Sequence, residues 1–240
     1  MSDASELIPA ATVILIRDGS DGVETLMLHR NSKIAFGGMW VFPGGRIDAG
    51  DADPAAPGDE LAAARRAACR EALEEAALVV DAGALVPFSH WIPPANPSFA
   101  RANRRFATWF FLAPAPDGAA VVVDGGEIHD HRWLRPADAI ARRDAGEIEL
   151  APPTWVTLWR LAGASSIADA VAMARAAEPE RFETRMAIVD GALFALWHGD
   201  AGYESGDPAA EGDRHRLLML PDGWRYERSG TSGPDVDRRT

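Results

Sequence analysis

Apolar positions in the first half of the chain fall in short runs rich in β-branched and aromatic side chains. AATVILIRD (10–18), VETLMLHR (23–30) and MWVFPGG (39–45) come first, and runs of this length and composition predict strands. DGSDGV, between the first two, is a Gly/Asp turn signal that makes them a hairpin. A Pro/Gly/Asp stretch, DAGDADPAAPGD (48–59), reads as a loop. The pattern then changes. From Glu60 to about Val80 there is no Gly or Pro and there are many good helix formers, with N-cap chemistry at Asp59. Leu61, Ala68, Ala72 and Val79 form the stripe expected to seat this helix on a sheet.

LVPFSHWIPP (85–94), RFATWFFLAPA (105–115) and AAVVVDGG (119–126) read as further strands, separated by Pro- and Gly-bearing turns. PADAIARRDAGE (136–147) opens with a proline suited to the first helical position. Strands, helix, strands, helix is the order of an α/β sandwich with a mixed sheet. After residue 150 the character shifts. PPTWVTLWRLAG and SIADAVAMARAAE predict two helices, and MAIVDGALFALWHGD and RLLMLPDGWRYER predict two apolar segments each broken by an Asp-Gly turn. The chain thus divides into 1–150, an α+β extension over 151–229, and a tail over 230–240 expected to be mobile. The extension reads equally as a small second domain or as an elaboration of the first.

With 240 residues, 47% of them hydrophobic, the chain can bury a sizeable core. The 24 Lys and Arg against 36 Asp and Glu give a net charge of −12, which argues against a nucleic acid polymer or an anionic membrane surface as partner. A small phosphorylated ligand stays open, provided cations and local arginines offset the field. No stretch approaches the roughly 20 apolar residues of a membrane span, and the start lacks a basic segment before its apolar run. The reading is cytoplasmic. Cys69 is the single cysteine, so neither an internal disulfide nor a thiolate metal cluster is expected, and its helical position suggests a packed thiol.

The candidate chemistry sits in REALEEAAL, Arg70 to Leu78. At about 100° per residue, Glu71, Glu74 and Glu75 fall within an arc of roughly 100°, although like charges at such spacing repel by a few tenths of a kcal/mol per pair. Either this is a solvated acidic face, or it is a set of oxygen ligands for a hard divalent cation such as Mg²⁺. Arg70 is correspondingly an ordinary i,i+4 surface partner or a group that fixes a carboxylate rotamer.

A strand ending in FPGG, a polar loop and a helix carrying REALEEAAL resembles the Nudix box, the signature of the Nudix hydrolases. The family pattern is G, five residues, E, seven residues, then R-E-apolar-x-E-E-x-G-apolar. Gly45, Arg70, Glu71, Ala72, Glu74, Glu75 and Leu78 stand at matching positions. The spacing from Gly45 to the helix is longer than the family's by about ten residues. The position eight before Arg70, usually glutamate, is Ala62, with Asp59 or Glu60 the nearby substitutes, and Ala77 stands where glycine is usual.

The resemblance implies a Nudix-type α/β/α sandwich with a mixed β-sheet. It also implies Mg²⁺ or Mn²⁺ held by Glu71, Glu74, Glu75 and the carbonyl of Gly45, with Arg70 orienting the glutamates. The implied reaction cuts the pyrophosphate bond of a small nucleoside diphosphate linked to another moiety. The general base in this family is a glutamate of the box or one on a distant loop, and Glu127 is the second choice after the helix glutamates.

LMLHRNSKIAFGGMWVFPGG, SHWIPP, RRFATWFFLA and EIHDHRWLRPADAI further resemble the branch containing animal peroxisomal coenzyme A diphosphatase, which also has an enlarged loop inside its box. Coenzyme A or an acyl-CoA is therefore the candidate substrate. In the pattern LLTxRSx3Rx3Gx3FPGG of CoA-acting members Gly38 fits, Ile34 replaces the second arginine and His29-Arg30 is out of register. The chain ends RRT, without a peroxisomal tripeptide.

His129 and His131 read as solvated loop residues or phosphate contacts, and Arg104 and Arg105 as rim charge or phosphate contacts. Trp91, Trp109 and Trp133 read as core. Trp155, Trp159 and Trp197 read as cement for the C-terminal part, with a lid or homodimer surface as the alternative. The competing function is a Nudix-fold sensor that binds a nucleotide without cutting it.

Overall fold

β1 (Leu7–Gly19) and β2 (Gly22–Arg30) form the expected hairpin, closed where Gly19 faces Gly22. The computed structural model describes residues 6–31, 37–95 and 105–230, so the expectations placed on Ile34, Arg104 and nearly all of the tail lie outside it. MWVFPGG contributes two short strands, β3 (Trp40–Val41) and β4 (Gly44–Arg46). Helix α1 (Glu60–Ala76), β5 (Val86–Ile92), β6 (Arg105–Pro114), β7 (Ile128–Leu134) and α2 (Pro136–Asp144) follow, with Pro136 at the start of α2 as anticipated.

Strand β1 is the spine. It pairs in parallel with β6 through ten registered positions, from Leu7 opposite Arg105 to Ile16 opposite Pro114, and antiparallel with β2 and β4. Its alternate side chains go to opposite layers, as strand geometry requires. Ala11, Val13 and Leu15 pack with the alanines of α1, while Ile14 and Ile16 join a larger core with residues of α2 and of the later helices. Helices thus cover both faces of a mixed sheet, the α/β/α arrangement expected of an α/β protein.

The extension continues this body. Helices α3 (Pro152–Leu161) and α4 (Ile167–Arg175) lead into β8 (Glu180–Glu183), which pairs in parallel with β5 at the edge of the main sheet. Four more strands, β9 (Arg185–Val189), β10 (Ala192–Leu196), β11 (His215–Leu220) and β12 (Gly223–Arg228), make a separate antiparallel sheet. The Asp190-Gly191 turn has both residues at positive φ, 51° and 79°, as a tight hairpin favours. One hydrophobic core runs from Ile14 and Phe110 through Trp155 and Phe182 to Trp197 and Leu217. Trp155 and Trp197 are buried within it, so they cement the extension. Trp91 stacks on Phe182 at 3.9 Å in the same core.

Three expectations need correction. AAVVVDGG forms no strand. Val121 and Val123 pack toward α1 while Val122 is exposed, an alternation that mimics a strand. Its hydrogen bond, however, goes from Val122 N–H to Ala76 O at the end of α1 and not to a neighbouring strand. Second, α1 stops at Ala76 instead of running to about Val80, because Ala77 takes a left-handed conformation (φ 55°, ψ 30°) and turns the chain. Third, that turn puts Leu78 in the core and leaves Val79 75% exposed, so the stripe holds at Ala68 and Ala72 and fails at Val79.

Glycine is free of the Cβ strain that an L-residue meets at left-handed φ. Ala77→Gly is expected to stabilise the protein by about 1 kcal/mol, raising the melting temperature by about 3 °C in a thermal scan.

In the second sheet the Asp200 carboxylate is fully buried and takes two hydrogen bonds from Arg216, each 2.6 Å, and one each from the N–H groups of Gly202 and His215. Burial raises its pKa, but Arg216 and the N–H donors more than offset this and hold it below the ordinary carboxylate value. The stabilisation is present above the unfolded value of about 3.9 and is lost as pH falls through the lower folded value. Asp200→Asn, which strands Arg216 in the core, is expected to cost about 3–5 kcal/mol in urea denaturation at pH 7. The gap to wild type should shrink below about pH 4.

Candidate active site

Asp59 accepts from Ala62 N–H and starts α1 as its N-cap. The buried face of the helix is almost entirely alanine: Ala64, Ala67, Ala68, Ala72 and Ala76. Such small side chains let the helix lie close to the sheet and to the turn between β3 and β4. Thr12 of β1 fixes that turn by donating its hydroxyl to Pro43 O at 2.6 Å. The two glycines are required by close approach and not by unusual φ. A Cβ on Gly44 would overlap Thr12, and one on Gly45 would overlap the Glu71 carboxylate.

Arg70 organises the acidic helix. Its Nε and Nη2 donate to the two oxygens of Asp51 at 3.1 and 3.0 Å, and Nη1 donates to Glu71 at 2.8 Å and Glu74 at 3.0 Å. Nη2 also donates to Arg46 O at 2.9 Å, tying the helix to β4. Both readings of Arg70 therefore hold at once: it makes the i,i+4 pair and it orients carboxylates.

Asp51 is the residue that sequence reasoning missed. Counting back from Arg70 led to Ala62 and to Asp59 or Glu60. Asp59 is a helix cap, and Glu60 accepts from Trp109 Nε1 at 3.1 Å. Counting forward from Gly45, five residues and then an acid, reaches Asp51 directly. It is 5% exposed in a short 3₁₀ turn. Burial raises its pKa, while Arg70 and the Asp48 N–H lower it further, leaving it below the usual carboxylate range.

The three glutamates differ in setting. Glu74 is largely exposed. Burial raises the carboxyl of Glu71 above its ordinary value against the pull of Arg70. Glu75, only 5% exposed, accepts from Gly44 N–H at 2.9 Å, and burial pushes its pKa up to about 7 despite that bond and Arg30 3.9 Å away. Arg30 also binds Glu127 at 2.7 Å, so this arginine of β2 bridges a box glutamate and the loop glutamate. Asp124 holds that loop by accepting from the N–H groups of Glu127 and Ile128.

Gly45, Arg70, Glu71, Glu74, Glu75 and Glu127 all line one cavity of about 1090 Å³. Arg30, Arg46, Arg105 and Arg143 line it too, supplying local positive charge within a chain of net charge −12. His129 and His131 are not among its lining residues. Trp91 reaches it only as a buried core residue. Cys69 stays off the cavity, and burial pushes its thiol up, as a packed thiol would be.

Among the described residues, no three Asp, Glu, His or Cys side chains are already closed around one point as a metal cage. The donor set nevertheless fits a hard divalent cation. It consists of carboxylate oxygens, with the Gly45 backbone held against Glu71. Arg70 and Gly44 N–H hydrogen-bond to one oxygen of each box glutamate. Burial first, and the neighbouring glutamates second, hold Glu71 and Glu75 above their ordinary pKa, the direction that a bound cation would oppose.

The family model for the NUDIX domain matches residues 6–153. The chain belongs to the Nudix family. Nudix membership places it among pyrophosphohydrolases, a family that generally uses divalent metal ions. A Nudix hydrolase structure from Alicyclobacillus acidocaldarius shares the fold at a TM-score of 0.60 and 23% identity, covering 70% of this chain and 96% of that one. Acyl-coenzyme A diphosphatase NUDT19 of Gallus gallus is 36% identical over 94 residues, 38% of this chain and 24% of that protein. The match thus spans about a quarter of that relative's length. No described helix is long and apolar enough to cross a membrane.

Because the folded pKa of Glu75 lies above the unfolded value of about 4.3, its contribution to stability is full below that value and lost as pH rises through about 7. Metal-free Glu75→Gln should therefore melt above metal-free wild type at pH 8, by on the order of 5 °C, with the gap closing near pH 4. Added Mg²⁺ should stabilise the wild type more than the variant in the same scans.

Proposed function

We propose that the chain is a divalent-cation-dependent hydrolase of the pyrophosphate bond in a nucleoside diphosphate linked to a second moiety, with coenzyme A or an acyl-CoA as the substrate class. The observation that carries this is the Arg70 clamp, which, braced on Asp51, holds Glu71 and Glu74 beside Gly45 and Glu75 at one arginine-rich cavity. The substrate class is supported by the acyl-CoA diphosphatase among the relatives and by the large, partly apolar cavity.

In this reading Glu71, Glu74, Glu75 and the Gly45 carbonyl hold Mg²⁺ or Mn²⁺, and Arg70 and Asp51 position the glutamates. The bound cation supplies charge neutralisation on the phosphoryl oxygens and acidification of water. In the same reading Arg30, Arg46 and Arg105, which line the cavity, would meet the phosphates. Water attacks phosphorus, the bridging P–O bond breaks, and the water proton passes to a carboxylate. A box glutamate is the first candidate for that base. Glu127 is the second, its carboxylate fixed by Arg30 at 2.7 Å. Little covalent work falls to the protein, so positioning dominates.

The test is phosphate-bond cleavage with Mg²⁺ or Mn²⁺ over coenzyme A, acyl-CoA, ADP-ribose, NADH and dinucleoside polyphosphates. Turnover on the CoA compounds should fall at least about 100-fold in Glu74→Gln and Glu75→Gln with a cooperative melting transition no lower than that of the wild type, and about 10- to 100-fold in Asp51→Ala, which acts through Arg70. Binding without turnover would instead support a nucleotide sensor.

A further inference from the structure

The antiparallel sheet of the extension has one apolar face. Its register sets Met186, Ala195, Leu217 and Tyr226 in one cross-strand row. Two residues along each strand, and so on the same face, lie Ile188, Leu193, Met219 and Trp224. Most of the first row is locked into the core: Ala195 and Leu217 are fully buried and Tyr226 nearly so. The second row emerges from it. Leu193, Met219 and Trp224 are partly exposed, and together with Met186 they line the cavity that also holds the box glutamates. Ile188, at the far end of the row, is exposed and off the cavity. All of these residues lie beyond residue 153, outside the family match.

One cavity therefore has two chemistries: the carboxylates with Arg30, Arg46 and Arg70 in one part of its lining, and thioether, aliphatic and indole side chains of the second sheet in another, where Arg143 is the one arginine, lying over the Trp224 ring. Its volume of about 1090 Å³ is just above the range of single small-ligand pockets, which ends near about 1,000 Å³, and this suits a ligand of two unlike parts. We infer that the Leu193–Met219–Trp224 wall binds an aliphatic acyl chain carried on the non-nucleotide half of the diphosphate. This rests on the hydrolase reading above and adds to it a determinant of specificity.

An acyl chain fits this wall better than a base or a sugar. Those need convergent hydrogen-bonding side chains, and Met186, Leu193 and Met219 offer none. The indole of Trp224 already carries the Arg143 guanidinium 4.0 Å from its centroid, so that face is not a stacking platform. Two methionines make a deformable surface, suited to a chain without fixed shape. The sheet is anchored through its buried row, which keeps the wall in place when the cavity fills.

The experiment measures kcat/KM for coenzyme A and its butyryl, octanoyl and dodecanoyl thioesters, below their micellar concentrations. Calorimetric Kd values of the same series for metal-free protein accompany it. Wild type should gain with chain length, up to about fourfold per buried methylene, in both quantities. Leu193→Asn and Met219→Gln should flatten that slope, while Ile188→Thr should keep it. Equal slopes in all four proteins, or a flat wild-type series in calorimetry, would overturn the acyl wall. Absence of turnover on every diphosphate, with chain-length-dependent Kd retained, would overturn the hydrolase reading and leave the wall standing.

Discussion

A single guanidinium group holds the candidate site together. Arg70 uses its rigid fork on the two oxygens of a buried aspartate, on two glutamates of its own helix and on a strand carbonyl. Lysine could supply the charge but not this set of directions. Without the fork, Glu71 and Glu74 would have no reason to share an orientation, while Gly44 N–H holds Glu75 beside them. With it, the helix, the 3₁₀ turn and strand β4 become one rigid piece. The like charges that looked costly in the sequence become an arranged set of oxygen donors.

That arrangement depends in turn on small residues. Five alanines on the buried face of α1 and two glycines in the preceding turn remove the side chains that would separate helix from strand. The parallel β1–β6 pairing supplies the flat support beneath them. Glu75 pays the electrostatic penalty of this closeness, since the same packing that brings it to Gly44 also shields it from water.

Much of this was legible in the chain. Hairpins announced themselves through Gly and Asp turns, the helix through its start signal and freedom from Gly and Pro, and the chemistry through the spacing of REALEEAAL. What was misread failed for physical reasons. The end of α1 rested on a left-handed alanine, a conformation that propensity does not anticipate at Ala77. The valines at 121 to 123 alternate as a strand does, but Val122 N–H bonds to Ala76 O at the end of α1 and not to a described strand. Asp51 was hidden because an insertion separates it from Arg70, so its role is set by folding distance and not by spacing from the helix. Arg30 shows the same limit, because its bridge from Glu75 to Glu127 joins residues from three separate parts of the chain. Strand β8 is four residues of mostly charged sequence, ERFE, and only its neighbours make it a strand.

The clamp between Asp51 and Arg70 also bears on how this part of the chain can change over evolutionary time. Eighteen residues separate the two, where the family pattern has seven. Closing the longer loop costs under about 1 kcal/mol more by chain entropy, because that cost grows only with the logarithm of length. Both ends stay pinned by the same ion pair whatever lies between. The excursion is therefore a permissive place for drift: residues can be gained or lost there, and new surface acquired, while the geometry on either side of it is inherited intact.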